Sequence, residues 1–149
     1  MTEAAGGASP TGSAMAPEVW IVEDEPAAAR LAADLCGSLG AQPSLFHSAL
    51  PFLRAFRGVQ APAAVVLDWR LEHELSAALF MATRHRFPSL RVIYWTGSRA
   101  AALPAMVRED PRTRVVDKAE GSGPFEQALR WALESCGETA ERSEPAQPG

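Results

Sequence analysis

Short apolar runs recur along the chain, separated by stretches in which apolar residues return every three or four positions. EVWIV (18–22), AAVVL (63–67), RVIYW (91–95) and TRVVD (113–117) are near-continuous apolar segments, the pattern of parallel strands covered on both faces. PSLFH (43–47) is a weaker strand and suits a sheet edge. Between these runs the period becomes helical. Pro26 fits a first helical position, and Ala28, Leu31, Ala32 and Leu35 make one face before CGSLG ends the pattern. Ser48 fits the cap of a second helix carrying Leu50, Leu53 and Phe56. A third helix, over 74–86, carries Leu75, Leu79 and Ala82 and ends before Pro88. Ser98 is placed to cap a fourth, but Pro104 lies too deep for a straight helix, which predicts a kink or a late start. A fifth helix begins near Pro124 and carries a stripe of Phe125, Ala128, Leu129, Ala132 and Leu133.

Strands alternating with helices imply an α/β domain with a parallel sheet and helices on both faces. In such sheets chemistry gathers beyond the carboxyl ends of the strands. Glu23 and Asp24 follow the first strand, Asp68 the third, Thr96 the fourth and Lys118 the fifth. Each buried strand thus delivers a polar residue to one rim.

Composition narrows the class. The chain has 149 residues, 47% of them hydrophobic, enough for one domain with a real core. A net charge of −4 argues against a nucleic-acid-binding surface. No apolar run approaches the roughly 18 residues of a membrane helix. Residues 1–17 have neither a basic start nor an apolar core, so they read as a disordered leader rather than a signal peptide. Residues 137–149 are equally poor in large apolar residues and read as a disordered tail, leaving 18–136 as the folded domain. Cys36 and Cys136 match no metal or redox spacing and read as reduced thiols of a cytoplasmic protein. His47, His73 and His85 share no ligand spacing.

The candidate chemistry lies at the rim. Glu23, Asp24 and Glu25 are adjacent acids that repel one another, and a cation nearby would relieve them. Carboxylates converging with one ammonium and one hydroxyl point to a Mg²⁺ site built for phosphoryl transfer, since Mg²⁺ takes hard oxygen ligands and keeps several waters. Asp68 would be the nucleophile, forming an acyl phosphate. Lys118 and the Thr96 hydroxyl would hold the phosphoryl oxygens. Glu25 suits a helix N-terminus and need not touch metal.

These residues resemble a known family. IVEDE looks like the acidic pair after strand one in receiver domains of bacterial two-component response regulators. VVLDWRL is similar to their phosphoacceptor stretch, VIYWTG to their Thr/Ser motif and VVDK to their lysine motif. Four motifs in order, each ending a strand, cover 18–136. The resemblance implies a flavodoxin-like, doubly wound (βα)5 fold with sheet order 2-1-3-4-5, in a stand-alone receiver that is not an enzyme in its own right. It implies that Asp68 accepts a phosphoryl group from a histidine kinase or phosphotransfer protein. Asp24, Asp68 and the backbone carbonyl of Arg70 would bind Mg²⁺, with Glu23 acting through water; Thr96 and Lys118 would contact the phosphate. Output would be a contact with a downstream protein, and self-association is one form of it.

Several positions depart from the family pattern. Glu72 and Ser76 stand where a proline and a glycine are usual, Ala119 replaces the proline after the lysine, and Val115 replaces an aromatic residue. A cis bond before Ala119 would cost roughly 2.5–4 kcal/mol, so a trans bond is expected. These departures motivate a second reading, a receiver-like binding module that signals without phosphate. A third, a phosphatase with an aspartate nucleophile, is disfavoured because Trp69 and Arg70 follow Asp68 where such enzymes resemble D-x-D-x-T.

Overall fold

The apolar runs form one parallel sheet. The computed structural model describes residues 16–58, 60–68, 73–97 and 103–142. Strand β1 (Glu18–Val22) leads to α1 (Pro26–Ser38), β2 (Gln42–Phe46) to α2 (Ala49–Ala55), and β3 (Ala64–Leu67) to α3 (His73–Arg86). Strand β4 (Arg91–Thr96) precedes the short α4 (Ala105–Arg108), and β5 (Thr113–Asp117) runs through a 3₁₀ turn (Lys118–Glu120) into α5 (Ser122–Arg142). All neighbouring strands pair in parallel, in the order β2-β1-β3-β4-β5. This is the doubly wound, flavodoxin-like arrangement.

Alternation along the strands builds two cores. Val19 and Ile21 of β1, Val66 of β3 and Ile93 and Trp95 of β4 pack with Ala32 and Cys36 of α1 and with Phe125 and Leu129 of α5. Their neighbours Trp20, Val22, Leu67 and Tyr94 face the other way, against Phe52 of α2, Leu79 and Phe80 of α3 and Val107 of α4. Side chains such as Ile21, Leu67, Phe52 and Phe125 are fully buried, each contributing about 1.5–3 kcal/mol from leaving water. Trp20 meets Phe52 edge to face at 6.1 Å and 85°, a favoured aromatic geometry.

Strand and helix ends follow local chemistry. Pro26 opens α1, where its missing N–H costs nothing. Beyond Ser38 the chain turns at Gly40, whose φ of 81° suits a residue without a Cβ. Ser48 occupies the N-cap of α2 without a side-chain cap bond. The late start expected of the fourth helix occurs at Pro104, which caps a helix of only four residues. Among the described residues no peptide bond is cis, so the bond before Ala119 is trans. Among the residues singled out from sequence, Trp69, Arg70, Glu72 and Ser98 lie outside the described residues.

One expectation needs correction. TRVVD is not covered on both faces: β5 closes the sheet as an edge strand, and Val116 alone of its residues is buried. Trp131 of α5 packs against two arginines. The guanidinium groups of Arg91 and Arg114 lie over its ring, at 4.7 and 4.3 Å from the centroid, and Arg91 donates to its carbonyl at 2.8 Å. The last helix starts at Ser122 and runs to Arg142. Gly137 alone costs a helix only about 1 kcal/mol, too little to stop one already formed.

At the end of the sheet where β4 and β5 begin, one arginine ties the chain together. Arg84 of α3 donates to the carbonyls of Phe87, Pro88 and Leu90 at 3.2, 3.1 and 2.6 Å, and to Asp110 at 2.7 Å. Asp110 also accepts from the Thr113 hydroxyl at 2.6 Å and the Arg112 N–H at 3.2 Å. Partial burial pushes the Asp110 carboxyl up, but Thr113, Arg84 and the Arg112 N–H outweigh it and hold the group below its usual 3.8. A carboxyl depressed on folding adds stability above its unfolded value and loses it as pH falls through the folded one. Asp110→Asn should therefore lower stability at neutral pH by about 1–3 kcal/mol in urea denaturation, with the difference from wild type shrinking in acid. A difference independent of pH would count against the ionised role of Asp110.

Candidate functional site

The parallel sheet ends in a row of polar side chains. Two backbone bonds carry the ladder past the strand ends and fix the acids there. The Glu23 N–H donates to the Phe46 carbonyl at 3.0 Å, and the Asp68 N–H to the Val22 carbonyl at 3.2 Å. Glu23 and Asp68 are consequently buried, at 2% and 3% exposure, whereas Asp24 and Glu25 are exposed. Thr96 closes β4, fully buried and in register with Asp117 of β5.

Lys118 supplies the built-in positive charge. It begins the 3₁₀ turn, where the Asp117 carboxylate accepts from the Ala119 N–H at 2.8 Å. The turn closes at Gly121, with a φ of 85°. From there the Lys118 ammonium donates to Glu23 at 2.9 Å and lies 3.7 Å from Asp68 and 4.0 Å from Glu25. Glu23 uses its second oxygen to accept from the Glu25 N–H at 3.2 Å. Asp24, Glu25, Asp68 and Lys118 line an open cleft of about 370 Å³.

The charges do not balance. Burial raises the Glu23 carboxyl to about 7; the bond from Lys118 opposes that rise and the nearby Asp68 adds to it. Oxygens of Glu23, Asp24 and Asp68 all lie within 4.8 Å of one another. Hard carboxylate donors, in excess over the one ammonium that reaches them, fit a divalent metal ion. A buried carboxylate beside a lysine and open to a cleft can act as a nucleophile whose developing charge has a partner.

Of the residues read from sequence, Glu23, Asp24, Asp68 and Lys118 meet here, and Thr96 ends the strand beside Asp68. Arg70 lies outside the described residues. Sequence reasoning missed Asp117, which shapes the turn under Lys118, although an aspartate accepting from an N–H two residues on is a recognisable turn signal. It also missed that Lys118 is the only lysine in the chain, the thirteen other basic residues being arginines. Glu25 was assigned to the helix end alone, yet its carboxylate also faces Lys118.

Solved structures share this architecture. A CheY-like response regulator receiver domain protein from Methanospirillum hungatei matches at a TM-score of 0.73 and 13% identity, over 84% of this chain and 99% of that one. The signal receiver domain of an HD domain-containing protein from Pseudomonas fluorescens gives 0.70 and 20%, over 81% and 97%. A sensor protein from Polaromonas sp. gives 0.67 and 21%, over 80% and 97%. No protein-family model and no curated protein matches the sequence. At these identities the likeness is one of fold, and the fold is that of response-regulator receiver domains. No helix among the described residues is long and apolar enough to cross a membrane.

The raised Glu23 carboxyl has a measurable consequence. The folded protein holds this proton more tightly than the unfolded chain, so between pH 4.5 and about 7 the group makes folding less favourable as pH rises. With metal removed by chelation, the urea midpoint of wild type relative to Glu23→Gln should fall between about pH 5 and about pH 8. Parallel curves across that interval would contradict the burial argument.

Proposed function

We propose that this protein is a phosphoreceiver, in which Asp68 accepts a phosphoryl group from the phosphohistidine of a kinase or phosphotransfer protein in the cytoplasm. The observation that carries the reading is the buried Asp68 carboxylate, opening onto a cleft with Lys118 at 3.7 Å and the oxygens of Glu23 and Asp24 close by. The receiver unit begins at residue 18 and closes within α5, and its output is a contact with another protein. Apart from this transfer and the later loss of the phosphoryl group, it turns over no substrate.

An Asp68 oxygen attacks phosphorus, the phosphorus–nitrogen bond breaks, and its electron pair returns to the donor imidazole, which takes up a proton. The product is an acyl phosphate on Asp68. Lys118 is placed to follow the charge, from the carboxylates it touches now to the new phosphoryl oxygens, with the Thr96 hydroxyl as a further contact. Mg²⁺ held by Asp24, Asp68 and the Arg70 carbonyl, and through water by Glu23, would supply positive charge to offset the acids and the incoming phosphate.

One observation favours a second reading. Lys118 already satisfies Glu23 at 2.9 Å, so the site can persist without metal, as a binding module that signals without phosphate would require.

The two part on a direct test. Incubation with acetyl phosphate and Mg²⁺ should add the mass of one phosphoryl group, and Asp68→Asn should gain none. Asp24→Asn should need at least about tenfold more Mg²⁺ for the same yield. Absence of a wild-type adduct, together with failure to bind beryllofluoride, would remove the phosphoreceiver reading and leave the binding module.

A further inference from the structure

Trp95 is the penultimate residue of β4 and only 3% exposed. Its indole stacks on Phe125 of α5, with ring centroids 4.2 Å apart and planes inclined by 12°. The Nε1–H is buried and has no hydrogen-bond partner among the described residues. Stranding a donor carries a desolvation cost that a phenyl ring in the same place would avoid. Hydrogen bonding therefore does not explain the indole. Its large face does, because the Lys118 ammonium lies over that ring, 5.2 Å from the centroid, and indole is the strongest aromatic partner for a cation.

The ammonium has a choice of places. It sits on a flexible four-carbon stem, within reach of the buried Glu23 and Asp68 but also of Glu25, whose side chain is 62% exposed. Salt and water screen the outer carboxylate and weaken its pull without removing it. A rigid, buried π face beside the inner pair tips the balance inward.

We propose that Trp95 is a positioning residue, whose ring, braced by Phe125, holds the Lys118 ammonium against Glu23 and Asp68. Its consequence for phosphotransfer rests on the phosphoreceiver reading, whereas the contact itself does not.

Because the chain has a single lysine, biosynthetic ¹³C-lysine labelling of the full-length protein reports Lys118 alone by NMR. An ammonium over an aromatic ring shifts the neighbouring ε-methylene protons upfield. The folded wild type should display that shift relative to the same protein in urea. Trp95→Met should lose the shift and form the acetyl phosphate adduct about three- to tenfold more slowly. Trp95→Phe should keep much of the shift and most of the rate, a rescue that cavity filling alone would not produce. The proposal is overturned if the wild-type resonance coincides with the unfolded one, if Trp95→Met leaves it in place, or if that variant reacts as fast as wild type. Should Trp95→Met fail to fold, the wild-type resonance and Trp95→Phe still decide. A wild type that shows the shift but gains no phosphoryl group would sink the phosphoreceiver reading while upholding the contact.

Discussion

A lysine ammonium 2.9 Å from a carboxylate that is almost wholly buried is the interaction around which the carboxyl end of this sheet is organised. Burying Glu23 and Asp68 side by side costs solvation for both and adds their mutual repulsion. One cation, reaching both from 50 or more residues away along the chain, offsets part of that cost. The remainder appears as a Glu23 carboxyl that holds its proton up to about 7. A site left in this condition has an unmet demand for positive charge, which a divalent ion would meet.

The fold's contribution is direction. Parallel strands leave all their carboxyl ends at one rim, so residues far apart in sequence meet without a dedicated loop. Helices on both faces exclude water from the strands, which strengthens each ion pair at the rim relative to its value in solvent. The opposite end is arranged for cohesion. There Arg84 gathers three carbonyls and Asp110, and Arg91 and Arg114 lie over the Trp131 ring. Arginine's fixed fork suits such multidentate ties, while lysine's compact charge suits a moving phosphoryl group. The chain's only lysine sits at the carboxyl end of the sheet, among the carboxylates.

Much of this was legible in the residue pattern. Period alone placed all five strands to within a residue or so, because runs such as VWIV and AVVL have no polar face to offer water. The same logic put Glu23, Asp24, Asp68, Thr96 and Lys118 at strand ends, and strand ends of a parallel sheet share an edge. Of the kink or late start that Pro104 foretold through its missing N–H and fixed φ, the late start is what occurs.

What the sequence determined by itself was therefore the order of elements and the membership of the rim, both of which follow from local periodicity and chain direction. Tertiary structure alone decided how those members interact. TRVVD lies half-exposed at the sheet edge with only Val116 buried, a fact of spatial neighbours rather than of its own residues. Trp95, apolar core by any sequence criterion, became the surface under an ammonium. Glu23 became a buried, proton-holding acid while its neighbour Asp24 stayed in solvent. Burial, dielectric and distance are properties of the assembled molecule, and they set the charge state of a carboxylate where residue identity cannot.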